Sequence, residues 1–70
     1  MMPLTFAEVG EQNVIKWITG KPETKKHLED MGFVVGSIIT LVSKFGENVI
    51  VNVKETRIAI SAEMATKIYI

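Results

Sequence analysis

The stretch Leu28-Glu29-Asp30-Met31-Gly32-Phe33-Val34-Val35-Gly36 constrains the fold of this chain more than any other. It reads as the end of a short helix, a glycine stop, a hydrophobic link, and a second glycine that opens a strand. A residue just past a helix end is commonly left-handed, a conformation glycine adopts without steric penalty, so Gly32 marks the helix terminus. Upstream, Pro22 suits a first helical turn because of its fixed φ and missing donor, and Glu23 beside it complements the helix dipole. The spacing predicts a helix over Pro22–Met31 that carries Thr24, Leu28 and Met31 on one face. Phe33, between the two glycines, reads as a plug beneath that helix.

Most of the remaining chain has the two-residue period of strands. Asn48–Val53 sets Val49, Val51 and Val53 on one face and Ile50 and Asn52 on the other. Arg57–Ile60 points Ile58 and Ile60 inward. Lys67–Ile70 turns Ile68 and Ile70 in and Tyr69 out. Ser37–Phe45 is apolar on both faces and reads as a strand curving between sheets. Phe45-Gly46-Glu47-Asn48 is a hairpin tip and Lys54-Glu55 a tight turn. Asn13–Thr19, β-branched and aromatic, reads as one strand ended by Gly20, and Leu4–Val9 as a first strand or an extended lead-in turned by Gly10. Ser61 is placed to cap a single helical turn through Ala65, without the acidic partner of a capping box. Five or six short strands with two short helices make a mainly β domain, and a small, strongly bent barrel removes most exposed edges.

Size and composition narrow the function. Seventy residues make one domain over 1–70, a size that buries about 60% of its unfolded surface. With 47% apolar residues, the chain must hide them in a core or against a partner, and exposed edges on so apolar a chain favour a weak homodimer. Eight basic and eight acidic residues cancel, which argues against a nucleic-acid partner. Lys16, Lys21, Lys25 and Lys26 leave room for a local basic patch. No targeting signal is expected, because Met1-Met2-Pro3 lacks a basic start and a following apolar run. No run of about 18 apolar residues spans a membrane, so any membrane link is expected to run through a partner. The absence of cysteine removes disulfides and thiolate metal sites and is compatible with a cytoplasmic location.

Few residues invite chemistry. His27 is the only histidine, with Glu23 four residues before and Asp30 three after, so the three share a helix face within reach of a divalent metal. Dedicated transition-metal sites use several His or Cys ligands, and the plainer reading is a solvated helix face with no bound cofactor. No nucleophile–base–orienter constellation or phosphate-binding glycine loop can be assembled, so an enzyme is not expected. Trp17, between Ile15 and Ile18, reads first as core and second as a surface anchor for a partner. Phe45 at the hairpin tip and Tyr69 on the last strand are further candidates for partner contact. Lys25 and Lys26 would meet an acidic partner.

In order and spacing these features resemble the ferrous iron transport protein A (FeoA) family. Gly10 with Ile15 and Ile18 matches the entry; Leu28, Met31, Gly32 and Gly36 match the helix end. Arg57-Ile58-Ala59-Ile60 matches the late strand, and Glu63, Ala65, Ile68 and Ile70 match the close. The similarity runs from Leu4 to Ile70. Two positions depart: Val35 stands where the family commonly has proline, and the hairpin tip is shorter than usual. The resemblance implies an SH3-like small β-barrel, cytoplasmic and accessory to the membrane GTPase-transporter FeoB, whose assembly or nucleotide cycle it would alter by binding. It carries over no catalytic or metal residue. A second reading is a metal-responsive regulatory domain like the C-terminal barrel of iron-dependent repressors, although the DNA-binding helices are absent here. A third is a peptide-binding barrel for proline-rich segments, for which the chain is poorly supplied with aromatics.

Overall fold

The turn that ends the first helix sets the course of the chain. In the computed structural model, which describes residues 1–70, α1 spans Pro22–Asp30 and Met31 caps it. Gly32 follows with φ +101°. Its N–H donates to the Glu29 carbonyl at 2.9 Å, and the Phe33 N–H reaches back to the Leu28 carbonyl at 2.9 Å. This pair of bonds is a Schellman motif, which normally brings an apolar contact between the residues flanking it. Leu28 and Phe33 are both wholly buried.

Six strands follow from the alternation. They are β1 (Gln12–Val14), β2 (Trp17–Ile18), β3 (Ile38–Phe45), β4 (Asn48–Val53), β5 (Thr56–Ser61) and β6 (Ile68–Tyr69), with α2 (Ala62–Ala65) before the last. All pairs are antiparallel: β1-β3-β4-β5 form a four-stranded sheet and β2-β6 a second of two strands. The N-terminal segment extends the second sheet, since Met2 and Ile70 exchange backbone hydrogen bonds at 3.0 and 2.8 Å.

The expected single strand over Asn13–Thr19 is divided, for a physical reason. Ile15 N–H donates to Ser37 in the first sheet at 2.9 Å, and the next donor, Lys16 N–H, bonds Tyr69 in the second at 2.8 Å. The chain changes sheet between consecutive residues. The inward period slips with it, so Ile15 and Ile18 are buried while Lys16 and Trp17 face out.

Leu4–Phe6 is neither strand nor extended lead-in. It is a 3₁₀ turn after Pro3, with Phe6 N–H bonded to Pro3 and Ala7 N–H to Leu4. Pro3, at φ −59°, starts the turn, and Leu4 drops into the core. The two-sided strand β3 stays within one sheet, and its curvature is a bulge. Leu41 pairs with Val51 and Ser43 with Ile50, which leaves Val42 unpaired.

Ser61 caps α2 as its sequence suggests, its Oγ accepting from Met64 N–H at 3.1 Å. The core is one cluster of 15 residues, all apolar, around which Met31, Ile58 and Met64 pack. No polar side chain is buried, so every group able to recognise a ligand stands at the surface.

The β4–β5 turn holds an unfavourable conformation. Lys54 and Glu55 have φ +50° and +63° in a two-residue loop, the geometry that asparagine and glycine adopt most readily. Replacing the pair by Asn-Gly is expected to raise stability by about 1–2 kcal/mol. For a domain of this size that is a rise in Tm of roughly 4–16 °C, measurable by thermal denaturation. An unchanged or lowered Tm would show that the turn is not strained.

Candidate partner-binding surface

The slip between β1 and β2 puts the only tryptophan on the surface. Trp17 is 54% exposed, which overturns its reading as a core residue. Across the ladder it pairs with Tyr69, which is half-buried. From α1, Lys25 lies over the indole with Nζ 5.9 Å from the ring centroid, near the outer limit of a cation–π contact. Beside them opens a shallow hollow of about 230 Å³, lined by Trp17, Ile18, Lys25, Glu29, Val34 and Val35.

Val35 is 62% exposed. Sequence reasoning alone does not place it among the contact residues. The signal was its place in a hydrophobic link between two glycines, a segment too short to bury every side chain. The hollow thus joins an exposed aromatic, an exposed aliphatic and a cation beside a carboxylate. Large amphipathic side chains of this kind anchor protein–protein contacts, whereas catalysis would need convergent reactive groups.

The other candidates fall elsewhere. Phe45 is 53% exposed at the β3–β4 tip, in the other sheet, and does not line the hollow. Lys26 makes an exposed i,i+4 pair with Asp30 at 3.7 Å, worth little in stability. That pairing sets Asp30 beside a lysine, and the side chains of Glu23, His27 and Asp30 are not gathered into one cluster in this conformation. No hollow is lined by more than one aromatic side chain, whereas a proline-rich-peptide groove uses several.

A family model described as the FeoA domain matches residues 2–70. The chain belongs to the FeoA family. It is 33% identical over 70 residues to a protein of Methanocaldococcus jannaschii named Fe(2+) transport protein A, spanning all of this chain and 85% of that one. Iron(II) transport protein A of Clostridium thermocellum is 26% identical with TM-score 0.90, over 97% of this chain and 43% of that one. The FeoA of Stenotrophomonas maltophilia, crystallised with zinc and described as an SH3 domain protein, gives 24% and 0.84 over 99% and 88% of the two chains. A manganese-dependent transcriptional repressor is 14% identical with TM-score 0.88, and the match spans only 39% of it. At that identity the likeness shows the fold alone.

The expected SH3-like, mainly β architecture is therefore the fold of this chain, and ferrous iron transport is the setting of its family. No helix is long and apolar enough to cross a membrane.

Proposed function

We propose that this chain is a small cytoplasmic accessory protein of ferrous iron uptake, without enzymatic activity. It acts by binding a cytoplasmic part of the FeoB-type transporter and altering that partner's assembly or nucleotide cycle. The observation that carries the reading is Trp17, the one tryptophan of a family member in iron transport, held half out of the core beside Val35 and Lys25. A small domain with an entirely apolar interior has no internal site for chemistry, so its surface must do the work. An exposed aromatic with an aliphatic neighbour and a cation suits a protein contact.

The test is an NMR titration of the isotope-labelled domain with the soluble GTPase domain of the transporter, with and without nucleotide. A contiguous set of shifted amides on β2, α1 and the Gly32–Gly36 link is the expected result. No shifts at high partner concentration would overturn the reading.

In this proposal iron is cargo of the transporter and not a resident of this domain. Titration with Mn²⁺ is expected to broaden the exposed carboxylates generally, without preference for the amides of Glu23, His27 and Asp30. Selective broadening centred on those three would establish direct metal binding.

A further inference from the structure

Hydrogen-bond phase along the first sheet shows which backbone groups are unused. Ile15 N–H points to Ser37 of the segment entering β3, so in the alternating ladder Asn13 also faces β3 and Gln12 and Val14 face away. On that phase the N–H groups of Gln12 and Val14 point away from β3, toward the outside of the sheet. Strand β1 is thus an open edge of the four-stranded sheet. Beside that edge lies a hollow of about 360 Å³, lined by Gln12, Asn13, Val14, Lys16, Ile38 and Ile70. Val14 and Ile38 are directly paired across the ladder and are 46% and 56% exposed, so an apolar pair stands uncovered beside the free backbone groups.

The far edge, β5, is also unpaired on its outer side, but the hollow at its end is mostly polar, with Ala62 its one apolar residue, and the strand carries the exposed charge of Arg57. Charge on an edge is a common guard against strand addition. Gln12-Asn13-Val14 itself carries no charge, and the one that lines the hollow, Lys16, lies two residues beyond it.

We propose that the β1 edge is a strand-addition site for an extended segment of a partner protein. The segment pairs with Gln12 and Val14 through its backbone and sets an apolar, β-branched side chain into the hollow against Val14 and Ile38. A carboxylate of the segment meets Lys16, the one charged side chain that lines the site. Main-chain bonds supply affinity and the hollow supplies selectivity. A second copy of the chain is a poorer occupant. Two edges of three residues fall well short of the roughly 1,200 Å² that a stable interface buries, whereas a transient segment needs less. The inference deepens the proposed partner-binding role and rests on it.

The test uses the full chain with the transporter's soluble GTPase domain as probe, read by NMR. Binding is expected to shift the amides of Gln12 and Val14 downfield and protect them from exchange. Two edge variants, Gln12→Pro and Val14→Lys, are each expected to weaken binding about tenfold. Gln12→Pro removes a donor that the β1–β3 ladder does not use. Val14→Lys charges an exposed position, so the fold survives in at least one variant. Ala59→Pro, on the β5 edge, is expected to leave binding unchanged.

Binding that leaves Gln12 and Val14 unmoved, and both edge variants at full affinity, overturns the strand-addition site while sparing the partner role. Shifts at Gln12 and Val14 on concentrating the chain alone would show that a second copy takes the edge, which overturns the partner segment. No binding by the unaltered chain would overturn the partner role, and this inference with it.

Discussion

Phe33→Ala is expected to remove most of the stability of this domain. Phe33 is the largest of the wholly buried side chains. Truncating a buried phenylalanine costs about 3–5 kcal/mol, from lost transfer energy and the cavity left behind. A 70-residue domain has about 3.5–10 kcal/mol in total. The variant should lie near or below its folding threshold at 37 °C, with Tm lowered by at least about 12 °C. The loss is aggravated by position. Phe33 closes the Schellman turn through its N–H, so the cavity opens where α1 is tied to the sheets. Thermal and denaturant unfolding would measure it; a loss below about 1 kcal/mol would mean that the core does not depend on the plug.

Trp17→Ala is expected to do the opposite, abolishing much of the binding while leaving the fold. The side chain is more exposed than buried, so its removal should change stability by less than about 1 kcal/mol. As a binding anchor it should be worth about 2 kcal/mol or more, which is roughly thirtyfold in Kd. Lys25→Ala should cost less, about 0.5–1 kcal/mol, since the cation sits at the limit of useful distance from an exposed ring. Because Trp17 is the only tryptophan, its fluorescence reports the same event without mutation. Its emission should shift to the blue as the transporter's GTPase domain covers it. Binding with unchanged emission, or a Trp17→Ala variant of unaltered affinity, would remove Trp17 from the contact. A large loss of stability in that variant would restore its reading as a core residue.

The contrast between Phe33 and Trp17 shows where sequence reasoning succeeds. Phe33 was legible as a plug because the signals around it are local: an apolar helix face, a glycine that accepts φ +101°, and a link too short to leave the core. The alternating faces of β4, the Ser61 cap and both tight turns were legible for the same reason. Each depends on residues within a few positions of one another. Trp17 and Lys25 are legible as partner candidates, but their assembly beside Val35 is not; Tyr69 only pairs with Trp17 across the ladder, and Phe45 and Lys26 lie apart.

By itself, then, the sequence determined the family, the mainly β composition of the domain, the helix stop at Gly32 and most of the inward-facing residues. Local sterics and two- or four-residue periods decide these before any long-range contact forms. Only the tertiary structure decided that Trp17 faces solvent, that Leu4–Phe6 coils into a turn, and that β1 keeps an unpaired edge. The first and last turn on which distant strand a backbone N–H meets, and the Leu4–Phe6 turn, closed by its own local bonds, is held where Leu4 enters the core. Ile15 goes to Ser37 and Lys16 to Tyr69, and that divergence between neighbours inverts the face of every residue after it in the segment. A period read along the chain cannot register such a slip, because the partners that impose it lie more than twenty residues away.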